Sequence, residues 1–213
     1  MQTFTREQIL HLDKYFRVNL INNLCGVRTA NMIGTIGKNE VSNLAIFNSV
    51  MHIGASPPLM GFILRPLTVE RHTYENILDR KFFTINQVHE EIYQNAHKTS
   101  AKYDNQTSEF EACGFTEYYH ENFPAPFVKE SHIKIGLSFA EAQTIRSNNT
   151  LLVVGNVEWI IIPDALISKK GRLLLEEANA VGVGGLDSYY SFTRLATLEY
   201  ARPGKKTLKV DSE

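Results

Sequence analysis

Residue types that bind phosphate recur in the first half of the chain. An arginine ends an apolar run just before a proline, an Arg-His-Thr triplet opens a segment of helical periodicity, and a later segment supplies a histidine, two hydroxyls and a lysine. A planar guanidinium grips a phosphate with two hydrogen bonds, and the N–H groups at a helix start favour an anion. Each residue taken singly is better explained by a surface ion pair or a helix cap, so the predicted anion site rests on their co-occurrence. The residues are Arg65, Arg71, His72, Thr73, His97, Thr99, Ser100 and Lys102.

A second unusual feature is the apolar stretch 42–66. It reads as two strands with a break between them, and the second strand ends on an arginine. Small polar residues, including Asn43, Asn48 and Ser49, flank the apolar centre of the first strand. A strand that is buried on both faces reads instead as a nearly continuous hydrophobic run. The pattern therefore raises the question of what these polar residues contact.

Familiar motifs are present only in part. The sequence GVGGLD at 182–187 lacks the full glycine pattern of a dinucleotide loop and has no predicted helix after it, and GKKT at 204–207 lacks the first glycine of a phosphate loop. His89 and His97 are eight residues apart, too far for two zinc ligands on one turn. The sequence therefore predicts no metal site. A Ser-His-Asp site stays open, although the chain lacks the G-x-S-x-G elbow.

Composition favours an ordinary soluble protein. The 213 residues carry a formal net charge of −1, without the basic face or tail that nucleic-acid binding requires. No apolar run approaches the roughly 20 residues of a membrane span, and the N-terminus lacks the apolar core of a signal peptide. Cys25 and Cys113 match no metal or redox spacing, which favours reduced thiols in a cytosolic protein. We expect a cytoplasmic protein that binds neither nucleic acid nor membrane.

The order of predicted elements favours an antiparallel barrel in one domain, residues 1–213. Thr5 and Gln8 form a capping box at the start of a helix that runs to Leu24, after which the chain changes to strand periodicity. The strand–helix alternation of a parallel sheet is absent, so we expect six or seven antiparallel strands with small helices between them. The predicted elements have the following bounds. The first half has an N-terminal helical region 1–25, two strands within 28–50 joined by a turn at 37–40, strands at 57–66 and 82–88, helices at 68–81 and 90–102, and a loop or short helix at 108–114. The second half has long strands at 132–145 and 150–162, a mixed segment at 164–180, a glycine-rich loop at 181–191 and a charged tail from 195 to 213.

These segments together resemble the flavin reductase-like proteins, a family that includes the flavoredoxins. The resemblance rests on the run RTANMIGTIGKNEVSNLAIFNSVMHIGASPPLMGFILRPLTVERHTYENI, followed in order by FFTIN, AHKTSAKYD, APFVKES, VVGNVEWI and GVGGLDSYY. It extends from Tyr15 to Pro203. The resemblance implies a mainly β fold: the FMN-binding split β-barrel, antiparallel and of Greek-key type, with N-terminal and peripheral helices.

The same resemblance implies where FMN lies. In the family, FMN lies across a homodimer interface, and a strand offers backbone N–H and C=O groups to the polar edge of the isoalloxazine, where charge develops on reduction. The anion site described above would hold the phosphate, and the GGLDSYY loop would close over the ring. The strand positions are Asn43, Leu44, Ala45, Ile46, Phe47, Asn48 and Ser49, and the loop positions are Gly185 and Tyr189.

One departure from the family pattern concerns this strand. Many members carry Thr-Ala-Ser-Ser where this chain has Asn43 to Ile46, so the hydroxyls of that motif are absent and Arg65 and Lys102 would do more of the phosphate binding. A core role for Phe47 and a turn role for Asn43 are equally compatible with the sequence.

The activity that the resemblance implies is an NAD(P)H-dependent FMN oxidoreductase, in which NADH or NADPH delivers hydride to the flavin. That step needs no side-chain acid or base, so no catalytic residue is predicted. His72 and His97 are better explained as structural or phosphate-binding residues than as proton donors. Two alternatives remain: an electron carrier of the flavoredoxin type that receives electrons from a redox protein partner, and a barrel of the same fold that binds no FMN.

Overall fold

Seven antiparallel strands form the main sheet of the structure, a computed structural model that describes residues 1–210. The strands along the chain are β1 (Val27–Thr29), β2 (Asn31–Ile36), β3 (Ser42–Phe47), β4 (Met51–Ala55), β5 (Pro58–Leu64), β6 (Phe82–Gln87), β7 (Glu117–Tyr118), β8 (Phe127–Val128), β9 (Lys134–Ile145), β10 (Thr150–Ile161), β11 (Val181–Gly184), β12 (Ser188–Ser191), β13 (Thr197–Leu198) and β14 (Lys209–Val210). The helices are α1 (Arg6–His11), α2 (Lys14–Asn23), α3 (His72–Arg80), α4 (Tyr93–Lys98) and α5 (Glu109–Cys113), with a 3-10 turn at Asp164–Leu166. The main sheet has the order β3-β2-β6-β9-β10-β5-β4. The mainly β, antiparallel class predicted from the sequence is confirmed.

The two ends of this sheet are linked by a side chain. Just after β3, Ser49 Oγ donates to the C=O of Ile63 in β5 (2.9 Å) and accepts from the N–H of the same residue (3.1 Å). Curling a sheet onto itself is one way to remove exposed strand edges. The Ser49 hydroxyl therefore connects the chain just after β3, the first strand in the sheet order, to β5, the strand before the last.

The barrel interior holds one of the two main hydrophobic cores. Strand alternation directs Ile33, Phe62, Phe83, Leu137 and Val153 inward, and all five are 0% exposed. The rings of Phe62 and Phe83 meet edge to face with their centroids 5.8 Å apart, a geometry that aromatic pairs prefer. Full burial of one such side chain stabilises the fold by roughly 1.5–3 kcal/mol. The barrel core therefore contributes strongly to stability, whereas α1 and α2 bury no residue.

A smaller sheet, β1-β11-β12, packs beside the barrel over a second core. Val181 and Val183 of β11 lie in this core together with Met32 of β2 and Phe110 of α5. The sheet is anchored through the backbone, because the Ala30 N–H donates to the Val181 C=O at 2.9 Å. This anchor fixes the position of the β11–β12 hairpin, which forms part of the cleft described below.

The N-terminal helix differs from its prediction. The expected single helix is interrupted and forms α1 and α2, because the Asp13 side chain accepts the N–H groups of Tyr15 and Phe16 and starts a new helix. The capping box between Thr5 and Gln8 is present as predicted.

Two further predictions need correction. The glycine-rich segment 181–191 is not a loop but the hairpin β11–β12, which turns at Gly185 with a φ of 65°. The sequence pattern also does not predict β4 (Met51–Ala55), which pairs with β5. The segment 108–114, whose sequence is compatible with a loop or a short helix, contains α5. The expected charged tail contains the pair β13–β14, and its residues 211–213 lie outside the described part of the chain.

Candidate functional site

A cleft of about 1260 Å³ opens between the barrel, the segments around α3 to α5 and the β11–β12 hairpin. Fifteen of the seventeen residues predicted from the sequence line it, so the fold brings together the strand positions, the anion positions and the hairpin tyrosine. These residues are Asn43, Ala45, Ile46, Phe47, Asn48, Ser49, Arg65, Arg71, His72, Thr73, His97, Thr99, Ser100, Lys102 and Tyr189.

The other two predicted residues, Leu44 and Gly185, do not line the cleft. The Leu44 side chain is fully buried in the second core, and its N–H donates to Glu109 Oε2 at 3.0 Å. The Gly185 C=O accepts a hydrogen bond from Asn48 Nδ2 at 2.8 Å. Gly185 therefore contributes to the cleft indirectly, because its carbonyl group holds the β11–β12 turn against the end of β3.

Backbone groups on the outer edge of β3 face the cleft. β3 is the first strand of the sheet order, so only one of its edges is paired, with β2. The Leu44 N–H points outward, to Glu109. Because outward N–H groups recur at every second residue of an antiparallel strand, the N–H of Ile46 faces the same way. Ile46 lines the cleft and offers it an edge donor and acceptor.

The polar side chains of the β3 region mainly position neighbouring elements. Asn43 Nδ2 donates to Thr73 Oγ1 at 3.1 Å, which joins β3 to the first turn of α3. Asn43 lies within β3, so the alternative of a turn role is wrong. Phe47 packs edge to face on Phe62 with the ring centroids 5.0 Å apart, so it contributes to the barrel core and also to the cleft wall.

Positive charge gathers at the start of α3. No side chain caps this helix, and N–H groups in the first turn of a helix have no partner within the helix. Arg71 occupies the N-cap position and lines the cleft, and its Nε is buried without a hydrogen-bond partner. Arg65 and Lys102 line the same cleft. An anion at this end would meet guanidinium groups, an ammonium and free helix N–H groups together.

The hydroxyls near the end of α4 are already engaged. Thr99 Oγ1 donates to the Ala96 C=O and Ser100 Oγ to the His97 C=O, each at 2.7 Å. A hydroxyl has one proton to donate, so neither hydroxyl can donate to a phosphate while it keeps this bond. The cationic residues therefore suit an anion better than these two hydroxyls do.

The hairpin side of the cleft is held by an aromatic pair. The Tyr189 hydroxyl lies 3.0 Å from His97 Nδ1. Burial, reinforced by the negative charge of Asp187, raises the pKa of Tyr189 to about 12. Tyr189 therefore stays neutral near pH 7 and presents a ring and a hydroxyl to the cleft.

The sequence alone did not identify one charged residue of the cleft, Glu109, as a binding residue. Arg71 belongs to the predicted anion site, because the Arg-His-Thr triplet opens a segment of helical periodicity. Glu109 gave no comparable signal, because its burial depends on packing against β3. Burial raises the pKa of the Glu109 carboxyl above its ordinary value, against the opposing effect of the hydrogen bond from Leu44.

Comparisons with known proteins agree with this architecture. The family model described as "Flavin reductase like domain" matches residues 27–178. A solved structure from Shewanella frigidimarina, described as a candidate flavin reductase with a split barrel domain, is 43% identical, with a TM-score of 0.90 over 94% of this chain and 100% of that one. Nitrilotriacetate monooxygenase component B from Bacillus cereus is 20% identical, with a TM-score of 0.81 over 93% of this chain and 98% of that one. Flavoredoxin from Desulfovibrio vulgaris is 18% identical, with a TM-score of 0.72 over 84% and 94% of the two chains. The latter two show the fold alone.

The barrel and its cleft thus place the protein in the split-barrel class of flavoproteins. The chain belongs to the flavin reductase-like family. None of the helices within residues 1–210 has the length and apolarity needed to cross a membrane. In the same part of the chain, no group of three or more His, Cys, Asp or Glu residues is arranged to hold a metal ion.

Proposed function

We propose that the protein binds FMN in this cleft and catalyses hydride transfer from NADH or NADPH to the flavin. The observation that carries the proposal is that one cleft joins the free edge of β3 to the cationic start of α3. A flavin mononucleotide has the same two ends, a flat polar ring edge and a phosphate.

The residues present fit FMN at both ends. The unpaired Nε of Arg71, the uncapped first turn of α3 and the side chains of Arg65 and Lys102 suit a phosphate. At the other end, the outward N–H of Ile46 offers a donor to a ring edge. The apolar side chain of Ile46 and the ring of Phe47 supply flat contact surface between the two.

The role of this chain in the reaction is mainly positioning. Bound FMN would supply the hydride-accepting ring, and backbone donors fixed beside it would stabilise the charge that develops there. A second reactant must be held at roughly 3–3.5 Å and aligned, which requires space next to the ring. The cleft of about 1260 Å³ exceeds the roughly 300–1,000 Å³ of a typical small-molecule site. It therefore has room for a nicotinamide beside the flavin.

A homodimer with FMN at the interface belongs to the proposal. In the single chain the cleft is open, and Leu186 and Val69 line it with much of their apolar surface exposed. A two-fold partner would cover this surface and form a second identical site. Gel filtration should give twice the chain mass of 24.2 kDa, and a monomer that binds FMN tightly would contradict this arrangement.

The direct test is an anaerobic titration. Purified protein loaded with FMN is mixed with NADH or with NADPH, and the visible flavin absorbance is followed. Rapid bleaching by either nicotinamide supports the reductase. A flavin that neither nicotinamide bleaches, but that a reduced redox protein does, overturns the hydride step and supports an electron carrier. Failure to bind added FMN overturns the whole proposal.

A further inference from the structure

Glu109 is a buried carboxylate in the wall of the cleft, and the proposed reaction gives it no role. The residue is 6% exposed and lines the cleft beside Asn43 and Thr73. Burying a charge is costly unless it is compensated. The Leu44 N–H donates to Oε2 at 3.0 Å and compensates part of this cost. A negative charge fixed in the cleft wall interacts electrostatically with any ligand that binds next to it.

The position of Glu109 relative to β3 determines which part of a bound ligand its charge affects. The carboxylate occupies the outward position of β3 at Leu44, and the next outward position is Ile46. Two residues of a strand span roughly 7 Å. Glu109 therefore lies on the same strand edge as the backbone groups that face the cleft, one outward position away.

We propose that the negative charge of Glu109 lowers the reduction potential of the flavin bound in the cleft. This inference rests on the proposed function, because it requires FMN along the edge of β3. Reduction adds negative charge to the ring, and a fixed carboxylate in a partly buried wall opposes that addition more strongly than one in water. The chain would thereby make the reduced flavin a stronger donor to its acceptor.

Other charged groups share this side of the cleft and set the background against which Glu109 acts. Burial raises the pKa of Glu109, and the neighbouring His72 acts in the opposite direction. The hydrogen bond with Cys113 raises the pKa of Tyr103, and Glu109 adds a smaller effect of the same sign. The titratable and charged groups near Glu109 on α3, on the segment after α4 and on α5 are Arg71, His72, Lys102, Tyr103, Asp104 and Cys113.

The test compares Glu109→Gln with the wild type at pH 7.5 by anaerobic spectroelectrochemical titration of the FMN-loaded proteins. Glutamine keeps an oxygen that can accept the Leu44 N–H, removes the charge and places an NH2 donor where the second carboxylate oxygen was. We expect a higher midpoint potential, by roughly tenfold in the two-electron equilibrium constant or about 30 mV. The matched control is Glu111→Gln, which removes an exposed acid from the same helix and should leave the potential unchanged.

Each outcome decides the inference. An unchanged potential in a Glu109→Gln protein that still binds FMN overturns it and leaves the proposed function standing. A wild type that binds no FMN overturns both. If the variant does not fold, the wild-type potential is followed against pH. The inference is supported if the plot of midpoint potential against pH changes slope where a carboxyl group is protonated and the plot for free FMN does not. A plot like that of free FMN overturns it.

Discussion

Asn43 and Thr73 join the outer strand of the barrel to the first turn of α3 through one buried hydrogen bond of 3.1 Å. Asn43 is 7% exposed and Thr73 is 6% exposed, so neither group can exchange this bond for water without a local opening. The bond fixes the distance between the two ends of the cleft. The polar residue that looked misplaced in an apolar strand thus has a structural partner 30 residues away.

Asn43→Ala should destabilise the protein. The substitution leaves the buried Thr73 hydroxyl without its donor, and such a loss costs about 1–3 kcal/mol. Urea unfolding measures the change in the free energy of unfolding. In a double-mutant cycle with Thr73→Val, we expect a coupling energy of about 1 kcal/mol, since the residues are in contact. Fully additive effects would show that the bond contributes nothing.

Arg71→Ala and Arg65→Ala should weaken binding of FMN much more than binding of riboflavin. A hydrogen bond to a charged group contributes roughly 1.5–3 kcal/mol, so each loss should reduce FMN affinity by about tenfold or more. Quenching of flavin fluorescence measures both affinities. The control is Arg146→Ala, because Arg146 is exposed in the turn between the two longest strands. Equal losses for both flavins would place the phosphate elsewhere.

Local signals in the sequence were sufficient for much of the fold. The capping box of Thr5 and Gln8, the turn at 37–40 and the alternation along β9 depend on neighbouring residues, and all three are present in the structure. The apolar period does not predict the break at Asp13, because it continues through a point where one side chain accepts two N–H groups and starts a new helix.

Features that depend on tertiary contacts could not be read from the sequence. The segment 181–191 has too many glycines to show strand propensity, and it forms a hairpin because Val181 and Val183 find a core to pack against. The residue types that line the cleft were predictable from the sequence, but their hydrogen bonds and their burial were not. Ser49 is engaged with Ile63, and the burial of Glu109 arises only when α5 packs on β3.

Gly155→Ala should destabilise the barrel. A Cβ at this position in β10 would lie 2.7 Å from the ring of Phe83 and 3.0 Å from the Ser138 carbonyl oxygen. Overpacking of this kind typically costs about 1–3 kcal/mol. Thermal and urea unfolding measure the loss. Phe83→Leu makes room for the new methyl group, so the double variant should be less destabilised than the sum of the two single changes. Strict additivity would contradict a clash with this ring.

The stacked pair of His89 and His132 should make stability depend on pH. The rings lie 4.1 Å apart at an angle of 9°, and His89 Nδ1 is buried without a hydrogen-bond partner. Burial, reinforced by His132, lowers the pKa of His89 and outweighs the opposing hydrogen bond with the Glu130 carbonyl. The unfolded chain therefore binds a proton more readily than the folded one. Stability should fall as pH drops below the ordinary histidine pKa of about 6.5, by at most about 1.4 kcal/mol per pH unit.

His89→Gln removes this titration and keeps a side-chain donor for the Glu130 carbonyl. We expect the melting temperature of the wild type to fall between pH 7.5 and pH 5.5 by more than that of the variant. The comparison is made between variants because Glu109, whose pKa is raised, acts with the opposite sign: its ionisation destabilises the fold as pH rises. His52→Gln, in the exposed part of β4, is the control and should retain the wild-type pH dependence. An equal fall in all three proteins would show that His89 titrates alike in the folded and unfolded chains.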